Sequence, residues 1–201
     1  TAPPPPFSCH LCEGPSWVDK AGPGCGGCPA FKGSHYFPNG EGPEDCDVLF
    51  LGDKPEAPPK RPGQPEAMVI FHPAFQCDGG KVVRSAAFDL GRRAQFKGLT
   101  ARFVYGVKCA VDTPNKATIL ACQTPLKEEL ARIAAARRRV GKTRPLVIVA
   151  LGTTALKSIG ISVQSEKEAS GRTYEHQIGD MHLTVVFAMS LKAIAVAVGK
   201  Y

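Results

Sequence analysis

The residues best suited to chemistry in this 201-residue chain are its eight cysteines. Four form two Cys-x-x-Cys pairs, Cys9/Cys12 and Cys25/Cys28; the others are Cys46, Cys77, Cys109 and Cys122. Two intervening residues let both thiolates of a pair face one metal centre from a tight turn. A disulfide framework is the habit of short secreted chains, and no secretory leader is visible here. In a reducing cytoplasmic (intracellular) setting, metal binding is the stronger expectation. Zinc and an iron–sulfur cluster are both open from spacing alone. A chain that opens on Thr1 instead of Met is expected to have a processed or trimmed start.

Charge indicates the partner class. Lys and Arg total 25 against 18 Asp and Glu, a net charge of +7, which favours an anionic partner, nucleic acid being the commonest. The basic residues cluster: Arg92, Arg93 and Lys97, then Arg137, Arg138, Arg139, Lys142 and Arg144. Lys54, Lys60 and Arg61 fall in a loop, so Lys54, Lys60, Arg61, Arg92, Arg93 and Arg137–Arg139 are the expected phosphate contacts. The Arg137–Arg139 run also closes a long helical pattern, where the helix dipole favours positive charge without any DNA. The longest apolar runs, such as Leu146–Leu151, are strand length and too short to span a membrane.

Two regions of different character must position these residues. Residues 1–45 hold both Cys-x-x-Cys pairs, the Pro3–Pro6 run and many glycines, with little apolar periodicity. Such a segment buries too little apolar surface to fold alone, so it reads as metal-organised. Residues 46–201 read as an α/β domain. Val48–Leu51, Phe103–Val107, Leu146–Leu151 and Leu183–Phe187 are expected strands; 82–93, Lys116–Arg139 and a short apolar stretch to Val198 are expected helices. Thr153 or Thr154 is expected to cap the helix after the third strand. The alternation predicts a three-layer sandwich around a central, mainly parallel, four-stranded sheet. Ligands then bind beyond the carboxyl ends of the strands, at Gly52–Glu56, Tyr105–Cys109, Gly152–Thr154 and Ala188–Ser190.

Several segments, in order, resemble the iron–sulfur (family 4) uracil-DNA glycosylases. They are Cys25-Gly-Gly-Cys-Pro-Ala-Phe, Asn39-Gly-Glu-Gly and Asp47-Val-Leu-Phe-Leu-Gly-Asp-Lys-Pro. Val107-Lys-Cys-Ala, Asn115-Lys, Ala121-Cys-Gln-Thr-Pro-Leu, Leu146-Val-Ile-Val-Ala-Leu-Gly and Gly171-Arg follow. The resemblance implies a uracil-DNA glycosylase-like fold and a [4Fe–4S] cluster on Cys25, Cys28, Cys109 and Cys122; a zinc ion on the same thiolates is the alternative. Cys9, Cys12, Cys46 and Cys77 have no counterpart in that pattern. They are read either as a second, zinc-type site, with His10 or His35 replacing one ligand, or as unliganded, with Cys46 and Cys77 as buried thiols.

The resemblance also implies a base pocket, and there the chain departs from the pattern. Asp53 keeps the family's carboxylate, one carbon shorter, as the candidate catalytic residue, while Lys54 follows it and Glu56 replaces a small glycine. Tyr105 stands where an asparagine reads uracil's edge. Ala188-Met-Ser replaces the last motif's histidine, leaving Ser190. Phe71 or Phe75 is the expected stacking aromatic, with His72 a displaced donor of lower standing. One oxyanion donor is worth roughly 3 kcal/mol in a glycosylase-type transition state by analogy. The expected function is therefore a DNA-binding accessory of replication or repair, with a DNA polymerase or other replication protein as a possible partner and weak or no uracil excision. The alternative is an active DNA glycosylase cleaving the N-glycosidic bond of uracil or another modified base.

Overall fold

A computed structural model describes residues 40–55, 75, 77–108, 111 and 113–199. Five strands form one sheet: β1 (Val48–Gly52), β2 (Ala101–Tyr105), β3 (Leu146–Leu151), β4 (Thr173–Ile178) and β5 (Met181–Ala188). The helices are α1 (Asp78–Arg92), α2 (Lys116–Arg139), α3 (Thr153–Ser158), α4 (Glu166–Ala169) and α5 (Leu191–Val198), with a 3-10 turn at Ala94–Phe96. Sheet order is β2-β1-β3-β5-β4. β2, β1, β3 and β5 are parallel neighbours, and β4 pairs antiparallel with β5.

The fold is thus α/β with a mixed five-stranded sheet, a composition compatible with three layers, where four strands were expected. The added strand, β4, has no fully buried residue, because it borders solvent and its side chains alternate between half-buried and exposed. A two-residue turn, Gly179-Asp180, joins it to β5, with Gly179 at φ 61°, so a hairpin replaces a crossover.

Strand side chains alternate between two cores. Leu49, Leu51, Val104, Ile148, Ala150, Leu183, Val185 and Phe187 meet Leu126, Leu130 and Ile133 of α2 and Ala155 and Leu156 of α3 on one face. Phe50, Phe103, Tyr105, Val149 and Leu151 meet Val83 and Ala87 of α1 and Leu191 and Ile194 of α5 on the other. The second strand begins two residues earlier than expected and ends at Tyr105, although apolar Val107 follows. Backbone pairing nevertheless continues past it: Gly106 N donates to Gly52 O at 2.8 Å and Val107 N to Asp53 O at 2.9 Å.

α1 begins at Asp78, several residues ahead of the expected start, and runs through Gly79 and Gly80. Both glycines are steric requirements. A Cβ on Gly79 would lie 1.9 Å from Leu191 O, and one on Gly80 2.4 Å from Phe75 O. Gly79→Ala is expected to push α1 off α5 and lose about 1–3 kcal/mol of stability, read as a lower urea midpoint at unchanged slope. An unchanged midpoint would contradict this packing.

Candidate active site at the strand ends

Parallel register aligns the carboxyl ends: Gly52 pairs with Tyr105 and with Leu151, and Leu151 with Ala188. From β1 the chain goes to β2 on one side and then returns past β1 to β3, so the switch point lies between β1 and β3. Asp53 stands there. Its Oδ1 accepts from Ala155 N at 2.9 Å, in the first turn of α3. Thr153 or Thr154 was expected to cap this helix, but Gly152 is the N-cap residue and no side chain caps from that position. The cap comes from β1 instead. Gly152 has φ 100°, and a Cβ there would fall 2.5 Å from Asp53 Oδ2, so only glycine admits the carboxylate.

Burial pushes the Asp53 carboxyl up to about 6, Glu166 adding to it while the Ala155 amide and Lys54 pull against it. A carboxyl group raised by desolvation at a switch point is the kind of group that active sites hold. Lys54 is half-buried beside it.

The neighbouring position at the end of β2 is occupied by aromatic rings. Phe75 is fully buried and Tyr105 nearly so; their ring centroids are 5.0 Å apart, and Phe75 meets Phe103 edge-on at 5.3 Å. Phe75 N donates to Tyr105 Oη at 2.9 Å. Phe75 takes φ 61°, a left-handed conformation unusual for an aromatic residue. A Cβ on Gly52 would be 2.8 Å from the Phe75 ring and 3.0 Å from the Tyr105 ring. Tyr105, read as a base-reading position, is therefore engaged with the Phe75 backbone, and Phe75, read as a stacking face, belongs to the core. Ser190 caps α5, its Oγ accepting from Ala193 N at 3.3 Å.

Of the cysteines read as cluster ligands, Cys122 is described. It is buried with Val107 and Ile119, and half-buried Val111 packs on them. Val107 and Val111, two positions before and after Cys109 in the sequence, thus belong to or pack on the apolar cluster that holds Cys122. Cys109, Cys25, Cys28, Cys9 and Cys12 lie outside the described residues, as do Glu56, Lys60, Arg61, Phe71, His72, His10 and His35. Among the described residues no group of three or more His, Cys, Asp or Glu side chains could hold a metal ion. An apolar setting on the first turns of α2 suits the protein side of an iron–sulfur site. Cys46 and Cys77 do not converge on one ion: Cys46 sits in the α2-side core, whereas Cys77 packs against the α1-side core. Burial raises the Cys46 thiol to about 11 despite the nearby guanidinium groups, the state of an inert thiol.

The basic run at the end of α2 divides. Arg137 is buried, donating to Cys46 O and, at 2.7 Å, to Arg144 O. It is a structural tie between α2 and the starts of β1 and β3, contrary to its reading as a phosphate contact. Arg138 and Arg139 are exposed, Arg138 lying 3.3 Å from Asp180. Arg92 and Arg93 are exposed too, with Arg92 over the Phe88 ring at 5.5 Å. No helix of the described residues is long and apolar enough to cross a membrane.

No protein-family model matches the chain, and no curated protein matches it.

The raised Asp53 carboxyl has a definite pH consequence. Its folded value of about 6 exceeds the unfolded value of about 3.9, so the folded state holds the extra proton between them. That contribution is present below about pH 4 and is lost as pH rises through about 6. Asp53→Asn keeps an oxygen for Ala155 N and removes the titration. Its urea midpoint, measured against wild type, should gain progressively between pH 4 and 7; a pH-independent difference would contradict the buried setting.

Proposed function

We propose that this chain is a DNA-binding protein with a uracil-DNA glycosylase-like three-layer fold, carrying a [4Fe–4S] cluster and weak or inactive in uracil excision. The observation that carries the reading is the arrangement at the aligned strand ends. Asp53 stands at the β1–β3 switch point, where its carboxylate accepts from an amide of the first turn of α3. The next position is filled by the Tyr105 and Phe75 rings. A glycosylase must admit a flipped base and read its edge, and this arrangement supports a scaffold with that site partly closed.

Cys25, Cys28, Cys109 and Cys122 would hold the cluster. When bound, it supplies cross-links between the N-terminal segment, the loop after β2 and α2, so its binding energy becomes folding energy. The burial of Cys122 in one apolar cluster with Val107, on which Val111 packs, supports that ligand set. The net charge of +7 and exposed Arg92, Arg93, Arg138 and Arg139 support DNA as the anionic partner, in a replication or repair role beside a polymerase or similar protein.

A second reading, an active DNA glycosylase, is favoured by one observation: an Asp53 carboxyl held near 6 at the switch point suits general acid–base or electrostatic work. Excision and binding assays on uracil-containing single- and double-stranded DNA separate the two. The accessory reading expects salt-dependent binding, with affinity falling linearly in log–log form, and no appreciable base release. Robust turnover abolished by Asp53→Ala would establish the enzyme instead. Arg139→Ala should weaken binding and lower the salt slope by about one, leaving stability within about 0.5 kcal/mol. Arg137→Ala should cost about 1–3 kcal/mol of stability through its orphaned carbonyls.

A further inference from the structure

We propose that Glu129 is a positioning residue for the cluster, a buried carboxylate clamping together the helix of Cys122, the residue before Cys109 and the Gly40–Gly42 segment. The inference rests on the cluster reading above. Glu129 is 2% exposed and lies about two helical turns past Cys122 on the same buried face of α2. Its Oε2 accepts from Lys108 Nζ at 2.5 Å, and Lys108, 3% exposed, immediately precedes Cys109. Its Oε1 accepts from Arg102 at 3.0 Å.

The third segment is Gly40–Gly42, which follows Cys25 and Cys28 in the sequence. Arg102 donates to Gly42 O. A Cβ on Gly40 would lie 2.2 Å from Glu129 Oε1 and 2.8 Å from the Arg102 guanidinium. The turn's backbone thus rests on the ion pair itself, and only glycine allows that approach. Glu41 fixes it further, exchanging backbone hydrogen bonds with Phe103 at 2.9 and 2.8 Å.

One carboxylate therefore meets the residue next to Cys109, the helix of Cys122 and, directly and through Arg102, the Gly40–Gly42 backbone. Apolar residues could fill this volume with equal or greater stability, so the directional bonds of the network have their use in setting geometry. Groups outside a metal's ligand set that orient its ligands affect retention strongly, typically 10–100-fold.

The test uses the full chain, purified anaerobically, with iron and sulfide content measured and iron release to a chelator followed in time. Glu129→Gln and Lys108→Met are expected to release iron about 10–100-fold faster than wild type, and Lys108→Arg to restore slow release. Leu130→Ala, a core change on the same helix, controls for lost stability and should release slowly while folded. Lys108→Met leaves the Arg102–Glu129 pair intact and carries the test if Glu129→Gln does not fold. Wild-type release from both variants, or equal acceleration by Leu130→Ala, overturns the clamp. A wild-type chain without iron overturns the cluster reading and the clamp with it.

Discussion

The interaction on which much of the structure depends is the ion triad of Arg102, Glu129 and Lys108, withdrawn from water beneath β2. Burial alone would push the Glu129 carboxyl up, but Lys108 and Arg102 more than reverse that and hold it below the ordinary glutamate range. Charges so deep are tolerated only when paired and hydrogen-bonded. Satisfying them fixes α2 against β2, ties the loop after β2 to α2 and draws the Gly40–Gly42 turn onto the sheet. The helix that carries Cys122 is therefore set by electrostatics at its middle and by apolar packing along its length.

Asp53 is the contrasting case. Glu129 has two cations and loses its tendency to protonate; Asp53 has backbone amides and one half-buried lysine, and retains it. The first carboxylate is fixed in one charge state and suits a structural duty. The second changes charge at mildly acidic pH, beside the strand ends where ligands of this architecture bind. A buried acid and a half-buried one in one small domain thus have separate roles, decided by what each one faces.

Much of this was legible in the residues. Lys116–Arg139 and Leu146–Leu151 matched their expected bounds because helical and strand periodicities there are long or uninterrupted. β4 was missed because Thr173–Ile178 buries none of its side chains, although Gly179-Asp180 between alternating runs is a hairpin signal. Asp53 was singled out, but its partner was not, since a contact across 102 positions leaves no local trace. Glu129 was passed over within Lys127-Glu128-Glu129, which reads as a solvated face. Its helical phase with Cys122, Leu126 and Ile133 was the available signal. Arg137 was misread for the same reason: its charge class suggested surface, and its phase places it inside.

The two margins of the sheet have a further consequence. On one side β4 presents Glu175, Gln177 and other polar groups, and on the other Glu41 occupies the backbone of Phe103 at the middle of β2. Exposed margins are where sheets recruit foreign strands, and proteins blunt them with polar or interrupted edges. Here the polar side chains of β4 and the Glu41 bridge on β2 disfavour assembly by strand addition. A chain rich in β-forming apolar runs is thereby hindered from extending its own sheet into a fibre.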